Sequence, residues 1–305
     1  MRVLVIGATG LLGKVLMEEW VEDTCTGVGA EHVDICDTSQ VSSLFETTRP
    51  DWTVLTAAYT DVDGCERDRD RAFQVNCCGA VNVAREAARA NSNLLFVSTD
   101  YVFDGSKGSP YETGDAVCPI SVYGRSKAEA ERLIRDILPE CCVVRTAWLF
   151  GAIGRCFPNK ILELSESQKR LRVVADQVGT PTFNRDLART IVRLVRSGAK
   201  GIVHATNTGP CSWYEFAREI LRVGGHADVS VEAIRTEDMP RPAPRPKYSV
   251  LSSVSLRQYQ LQMRPWRDAL KEYFDDRAAV LSKPAPFAAK VAKVNLLSGN
   301  SEEVQ

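Results

Sequence analysis

Apolar side chains fill positions 3–6 without a break, and the run Gly7-Ala-Thr-Gly10-Leu-Leu-Gly13 follows at once. That pattern predicts a strand buried on both faces that turns sharply into a helix over residues 10–20. The same alternation repeats downstream. A strand is expected near 25–28, a helix over 38–49 stopped by Pro50, a strand over 51–58, a long helix over 71–90 and a strand at Asn93–Thr99. A helix over 122–136 and a strand over 141–150 complete the series. Such a sequence predicts an α/β fold, a doubly wound parallel sheet of the Rossmann type with right-handed crossovers. After Gly151 the regularity weakens. A helix at Asn184–Arg196 and a strand over 201–207 look like returns to the sheet, and Ser212-Trp-Tyr-Glu215 reads as a capping box opening a helix to about Val223. The expected organisation is a dinucleotide-binding domain over 1–151 with 184–207 returning to it. A smaller C-terminal substrate-binding portion takes 152–183 and 208–276, and a flexible tail takes 277–305. The proline-rich stretch 239–246 admits neither helix nor central strand and is expected to cross the surface or the cleft.

The glycine spacing carries the first chemistry. Gly7 makes the tight turn, Gly10 lets the backbone approach a pyrophosphate, and Gly13 lets the helix pack on its strand. Free N–H groups at the helix start face the phosphates. The spacing G-x-x-G-x-x-G is that of extended short-chain dehydrogenase/reductase enzymes.

Composition narrows the partners. With a formal net charge of -1 and 25% charged residues, the chain lacks the basic balance of a nucleic-acid or membrane-surface binder. Its first apolar run is too short to span a bilayer, so no signal or transmembrane segment is expected. The ten cysteines contain no C-x-x-C pair, and Cys77-Cys78 and Cys141-Cys142 read as small packing residues. A reduced, cytoplasmic protein without a metal site is the expectation.

Three segments should meet at the C-terminal ends of the strands: Ser98-Thr99-Asp100-Tyr101, Tyr123-Gly-Arg-Ser-Lys127 and Arg145-Thr-Ala-Trp148. Tyr123 and Lys127, four apart on a helix, share a face. The ammonium is expected to stabilise the phenolate and draw the tyrosine pKa down.

GATGLLG, AAYTDVDGCE (57–66), STDYVFDG (98–105), YGRSK (123–127), RTAWLFG (145–151), DQVGTPT (176–182) and RPKYSVL (245–251) together resemble the dTDP-4-dehydrorhamnose reductase family over about residues 1–275. The resemblance implies reduction of the C4 keto group of a nucleotide-sugar substrate, dTDP-4-dehydro-L-rhamnose. It implies Thr99, Tyr123 and Lys127 as the catalytic triad, and Asp100, Tyr101, Trp148 and Arg245 on the substrate side. Cofactor contacts are implied for Gly7, Thr9, Gly10, Leu11, Leu12, Gly13, Asp34, Ile35, Ala57, Ala58 and Tyr59, with Tyr123 and Lys127. The coenzyme reading leans to NADPH with NADH open, because Glu31 suits a ribose hydroxyl and His32 tolerates a phosphate. A homodimer stays an open option.

The chain departs from the family in two places. Cys156-Phe157 stands where members often carry asparagine before phenylalanine. Lys14-Val15 stands where some carry an acidic residue for an intersubunit Mg²⁺, so no metal is expected, and Glu18 and Glu19 read as a solvated helix face. Two rival readings remain. A dehydratase or epimerase of the same superfamily is disfavoured because Tyr101 occupies the place of the glutamate that related dehydratases use to remove a proton. A non-catalytic subunit resembling the regulatory beta subunit of methionine adenosyltransferase shares the fold, but DQVGTPT and TAWLFG fit the reductase better.

Overall fold

The computed structural model describes residues 1–282. Five strands come first: β1 (Arg2–Ile6), β2 (Thr24–Val28), β3 (Trp52–Leu55), β4 (Asn93–Thr99) and β5 (Cys142–Thr146). Short strands β6 (Leu149–Phe150), β7 (Arg170–Val174), β8 (Val178–Gly179) and β9 (Thr182–Phe183) follow, then β10 (Gly201–His204), β11 (Cys211–Ser212) and β12 (Ser230–Ile234). The helices are α1 (Gly13–Glu19), α2 (Thr38–Thr48), α3 (Val62–Arg67), α4 (Arg69–Phe73), α5 (Ala80–Arg89) and α6 (Val122–Ile137). After these come α7 (Phe157–Ser167), α8 (Asn184–Arg196), α9 (Trp213–Val223) and α10 (Trp266–Leu281).

Six strands form one sheet in the order β10-β5-β4-β3-β1-β2, and every pair in it is parallel. Parallel strands need crossover helices on both faces, which is why β1 is apolar throughout its buried length. On one face Val3, Val5, Leu95 and Val144 pack against Leu16 of α1 and Leu187 and Ile191 of α8. On the other, Leu4, Ile6, Leu55 and Phe96 meet Val41 of α2, Val83 of α5 and Ile134 of α6. A further core lies beyond the sheet, where Phe150, Phe183, Phe216, Trp266 and Tyr273 join Ile161, Leu171 and Ile220. Fully burying each such side chain is worth about 1.5–3 kcal/mol.

Several expected elements differ. The strand read over 141–150 breaks after Thr146 because Trp148 has φ +47°; β6 then leaves the main sheet to pair with β9. A left-handed backbone at a bulky residue costs of order 1–3 kcal/mol and is retained only where its surroundings enforce it. The helix read over 71–90 is interrupted by a wide turn at Gln74–Gly79 that turns Asn76 inward. The weak periodicity after Gly151 concealed α7 and the parallel pair β7–β12. Residues 239–246 carry no helix or strand, as their prolines dictate. Glu18 and Glu19 are not a merely solvated face. The packing of α1 on α8 sets them beside Arg185, at 3.2 and 2.9 Å, with Arg189 also 3.3 Å from Glu19. All ten cysteines are free thiols, Cys77 buried and Cys78 exposed. Helix α10 continues past Arg277 to Leu281, and the remainder of the expected tail lies outside the described residues.

Candidate active site

In this sheet β1 lies between β2 and β3: the chain leaves β1 for β2 on one side and crosses back to β3 on the other, a reversal of strand order that in such folds puts the binding crevice at the carboxyl ends of β1 and β3. The glycine turn fills one wall. Gly10 is exposed there, and the N–H groups of Leu11 and Leu12 find no acceptor among the described residues. The Asn184 amide holds the Leu11 carbonyl at 2.8 Å. Unpaired backbone N–H donors at a glycine turn fit a pyrophosphate. Beside it, Thr9 and Glu31 approach to 3.4 Å, and His32 Nδ1 accepts from the Gly29 N–H at 3.3 Å. Ile35 is buried in the core while Asp34 is exposed, its carboxylate accepting from the Cys36 N–H.

The opposite wall is the segment after β3. Ala57 donates to the Ile6 carbonyl at 3.0 Å, tying this wall to the end of β1. Tyr59 donates to Asn76 Oδ1 at 2.7 Å, and Asn76 Nδ2 reaches the Tyr59 carbonyl at 3.0 Å and Ser126 Oγ at 3.1 Å. One buried amide therefore couples Ala57, Ala58 and Tyr59 to α6. Sequence reading missed Asn76, because within an apparent helix nothing distinguishes an inward asparagine from a solvated one.

Helix α6 carries Tyr123 and Lys127 alongside β4 and the turn that follows it. Ser121 Oγ accepts from the Gly124 N–H, and Glu66 accepts from the Val122 N–H at 2.7 Å, satisfying two donors of the first turn. A side chain at Gly124 would stand 2.1 Å from the Tyr101 carbonyl, so glycine lets the helix start rest directly on the turn that follows β4. Tyr123 packs edge-on against Tyr101, ring centroids 5.7 Å apart, and its phenol faces Thr99. The Thr99 hydroxyl donates to Asp100 Oδ1 at 3.1 Å and accepts from the Tyr101 N–H at 3.2 Å.

Burial sets the charges here. It raises the Asp100 carboxyl to about 6 and raises the Tyr123 phenol above its ordinary value. Lys127, fully enclosed, is brought down to about 7 by desolvation, opposed by the nearby Glu131 charge. The expected lowering of the Tyr123 pKa by Lys127 is not found: burial of the phenol raises it. The ammonium turns instead to the Val97 carbonyl at 2.8 Å and lies 3.9 Å from the centre of the Phe96 ring. Behind it, Glu131 accepts from Arg145 at 2.6 Å and from Ser98, a buried set joining α6 to β4 and β5.

Trp148 stands partly exposed beyond β5 and stacks face to face on Trp213, centroids 3.4 Å apart and planes at 7°. The register opposite Thr99 is Thr146, which places this aromatic pair past the same sheet edge. Trp213 opens α9 and was read only as part of a capping box, which the structure contains. Arg245 donates to Asp63 Oδ1 at 3.0 Å, Arg241 reaches the same carboxylate at 3.4 Å, and Arg245 also bears on Tyr101. The proline-rich segment is thus held to α3 across the cleft. Asp63 was not singled out in the sequence, since its partners lie about 180 residues away. The thiol of Cys156 donates to the Gly151 carbonyl at 3.3 Å, and the Asn159 amide donates to the same carbonyl at 3.2 Å.

The family model described as RmlD substrate binding domain matches residues 1–279. The spore coat polysaccharide biosynthesis protein SpsK of Bacillus subtilis is 38% identical over 280 residues, 91% of this chain and 98% of that one. A dTDP-4-dehydrorhamnose reductase of Aggregatibacter actinomycetemcomitans is 37% identical, covering 88% of this chain and 97% of its own length. Among solved structures, the dTDP-4-dehydrorhamnose reductase of Bacillus anthracis in complex with NADP superposes with a TM-score of 0.88 at 37% identity, covering 90% of this chain and 99% of that one.

Proposed function

Because the chain belongs to the dTDP-4-dehydrorhamnose reductase family, we propose that it reduces the C4 keto group of dTDP-4-dehydro-L-rhamnose, with NADPH as coenzyme and NADH as the alternative. The observation that carries this reading is the Tyr123 phenol facing Thr99, with Lys127 one turn along α6, in a fold whose glycine turn keeps unpaired N–H donors. NADPH supplies the hydride. The protein does the rest: Leu11 and Leu12 N–H groups hold the pyrophosphate, and the walls at Thr9, Gly7, Asp34, Ile35 and Ala57 to Tyr59 enclose the nucleotide.

Tyr123 is the proton donor to the oxygen that develops charge at C4. Its raised pKa keeps the phenol protonated at neutral pH, the state a reduction requires. Thr99 holds that oxygen, and Lys127, swung from the Val97 carbonyl, binds the coenzyme ribose and stabilises the phenolate as it forms. Asp100, Tyr101, Trp148 and Arg245 take the sugar nucleotide, with Arg245 toward the diphosphate. The substrate is a nucleotide sugar rather than nucleic acid, and no helix among the described residues is long and apolar enough to cross a membrane. We place the protein in the cytoplasm, where its ten free thiols stay reduced.

The deciding assay follows nicotinamide absorbance with the purified protein, NADPH and then NADH. Oxidation is expected only when the 4-keto sugar nucleotide is added. No oxidation with either coenzyme refutes the reductase reading.

Trp148→Ala separates a sugar-facing ring from a core ring. It is expected to raise KM for the sugar nucleotide more than it lowers kcat. Its stability cost should include the about 0.5–1.5 kcal/mol of the lost stack on Trp213 yet stay below the roughly 3–5 kcal/mol of a core tryptophan, because the ring is partly exposed. Thermal unfolding and steady-state kinetics together check this, and a large loss of Tm with unaltered KM would contradict it.

A further inference from the structure

The segment DQVGTPT at 176–182 has no part in the steps above, yet it encloses the Trp148 ring. A Cβ placed on Gly179 would stand 2.4 Å from Trp148 Cε2, 2.6 Å from Nε1 and 2.7 Å from Cζ2. Cε2 is the ring-fusion carbon between the other two. Because it is the nearest of the three, Gly179 meets the indole over a face and not at its rim. Trp213 lies parallel over the same ring, centroids 3.4 Å apart and planes at 7°. That separation leaves no room on its side for a second neighbour, so Gly179 covers the opposite face.

Both walls of this slot are fixed. The strand β8 that carries Gly179 is bonded along both sides. Gly179 pairs with Cys211 of β11, the strand that runs into Trp213. Val178 donates to the Lys247 carbonyl and accepts from the Ser249 N–H, each at 2.8 Å. Trp213 is itself packed against Phe157, centroids 4.5 Å apart. Trp148 is held by its left-handed backbone and by its carbonyl, which accepts from the Thr182 N–H at 3.2 Å. An indole covered on both faces yet partly exposed has its rim left for a ligand. The rim is the electropositive part of the ring and carries the N–H, so it suits the oxygen atoms of a sugar, whereas a face suits C–H groups.

We propose that Gly179 and Trp213 are positioning residues that clamp the Trp148 indole between them, so that it meets the sugar of the nucleotide sugar by its rim. The inference rests on the reductase reading. Both residues act through Trp148, and their loss should weaken sugar binding more than it slows the chemical step.

The test compares Gly179→Ala, Trp213→Ala and Trp213→Phe with the unmodified protein. The backbone of β8 has no positive φ at Gly179, so alanine is admitted by the chain and acts by displacing the Trp148 ring. Calorimetric titration with the product dTDP-L-rhamnose and with dTDP reads binding with and without the sugar. Gly179→Ala and Trp213→Ala are each expected to raise Kd for dTDP-L-rhamnose, and KM for the keto sugar nucleotide, about tenfold or more. The dTDP Kd should stay within about twofold and kcat within about threefold. Trp213→Phe restores a flat ring over that face and should return both constants to within about threefold. If Gly179→Ala fails to fold, the two Trp213 variants decide. Folded variants with a lowered Tm but unchanged Kd and KM overturn the proposal, leaving the reductase reading intact. An equal loss for dTDP overturns the assignment of the clamp to the sugar. An unmodified protein that neither reduces the keto sugar nucleotide nor binds the product overturns both readings.

Discussion

Tyr123→Phe is expected to lower kcat by about 10²–10⁴ while leaving folding and coenzyme binding near those of the unmodified protein. Phenylalanine keeps the ring that packs edge-on against Tyr101 and among Cys65, Ala72 and Val122, and deletes only the hydroxyl aimed at Thr99. Lys127→Ala should behave differently. Its ammonium is buried against Phe96 and Val97, and the proposed role has it leave the Val97 carbonyl for the coenzyme ribose. Coenzyme affinity and kcat should therefore fall together. Steady-state reduction of the keto sugar nucleotide, run beside direct coenzyme titration, reads both. Near-normal turnover by Tyr123→Phe would remove the tyrosine from the role of proton donor. If the unmodified protein showed no turnover, the binding-subunit reading would take its place.

Gly10→Val should abolish measurable coenzyme binding, a rise in Kd of at least about a hundredfold, because the backbone there must come close to the pyrophosphate. The fold should survive. A Cβ at Gly10 meets only the Gly7 carbonyl, at 3.3 Å, and the position is exposed. Gly13 provides the control. There a Cβ would stand 2.1 Å from the same carbonyl oxygen, so Gly13→Ala is expected to destabilise the protein itself. Fluorescence titration with NADPH and a thermal melt distinguish the two losses. Unchanged affinity in Gly10→Val would end the assignment of this turn to the coenzyme.

The strand and helix order of the sheet was legible because each element carries its own period. Val3–Ile6 is continuous apolar sequence bounded by a glycine turn, and Ser212 and Glu215 mark the start of α9 three residues apart. The pairing of Tyr123 with Lys127 was legible for the same reason, since four residues on a helix define a shared face. Three features were decided elsewhere. The left-handed Trp148 holds its ring stacked on Trp213, 65 positions on; the inward Asn76 bonds the segment at Tyr59; and Arg245 is anchored by Asp63. The protonation of Asp100, Tyr123 and Lys127 belongs with them, because desolvation is a property of everything packed around a group and not of its neighbours in the chain. Local periodicity sets which elements form and which residues share a face, while hydrogen bonds and burial between distant segments set where side chains point and what charge they carry.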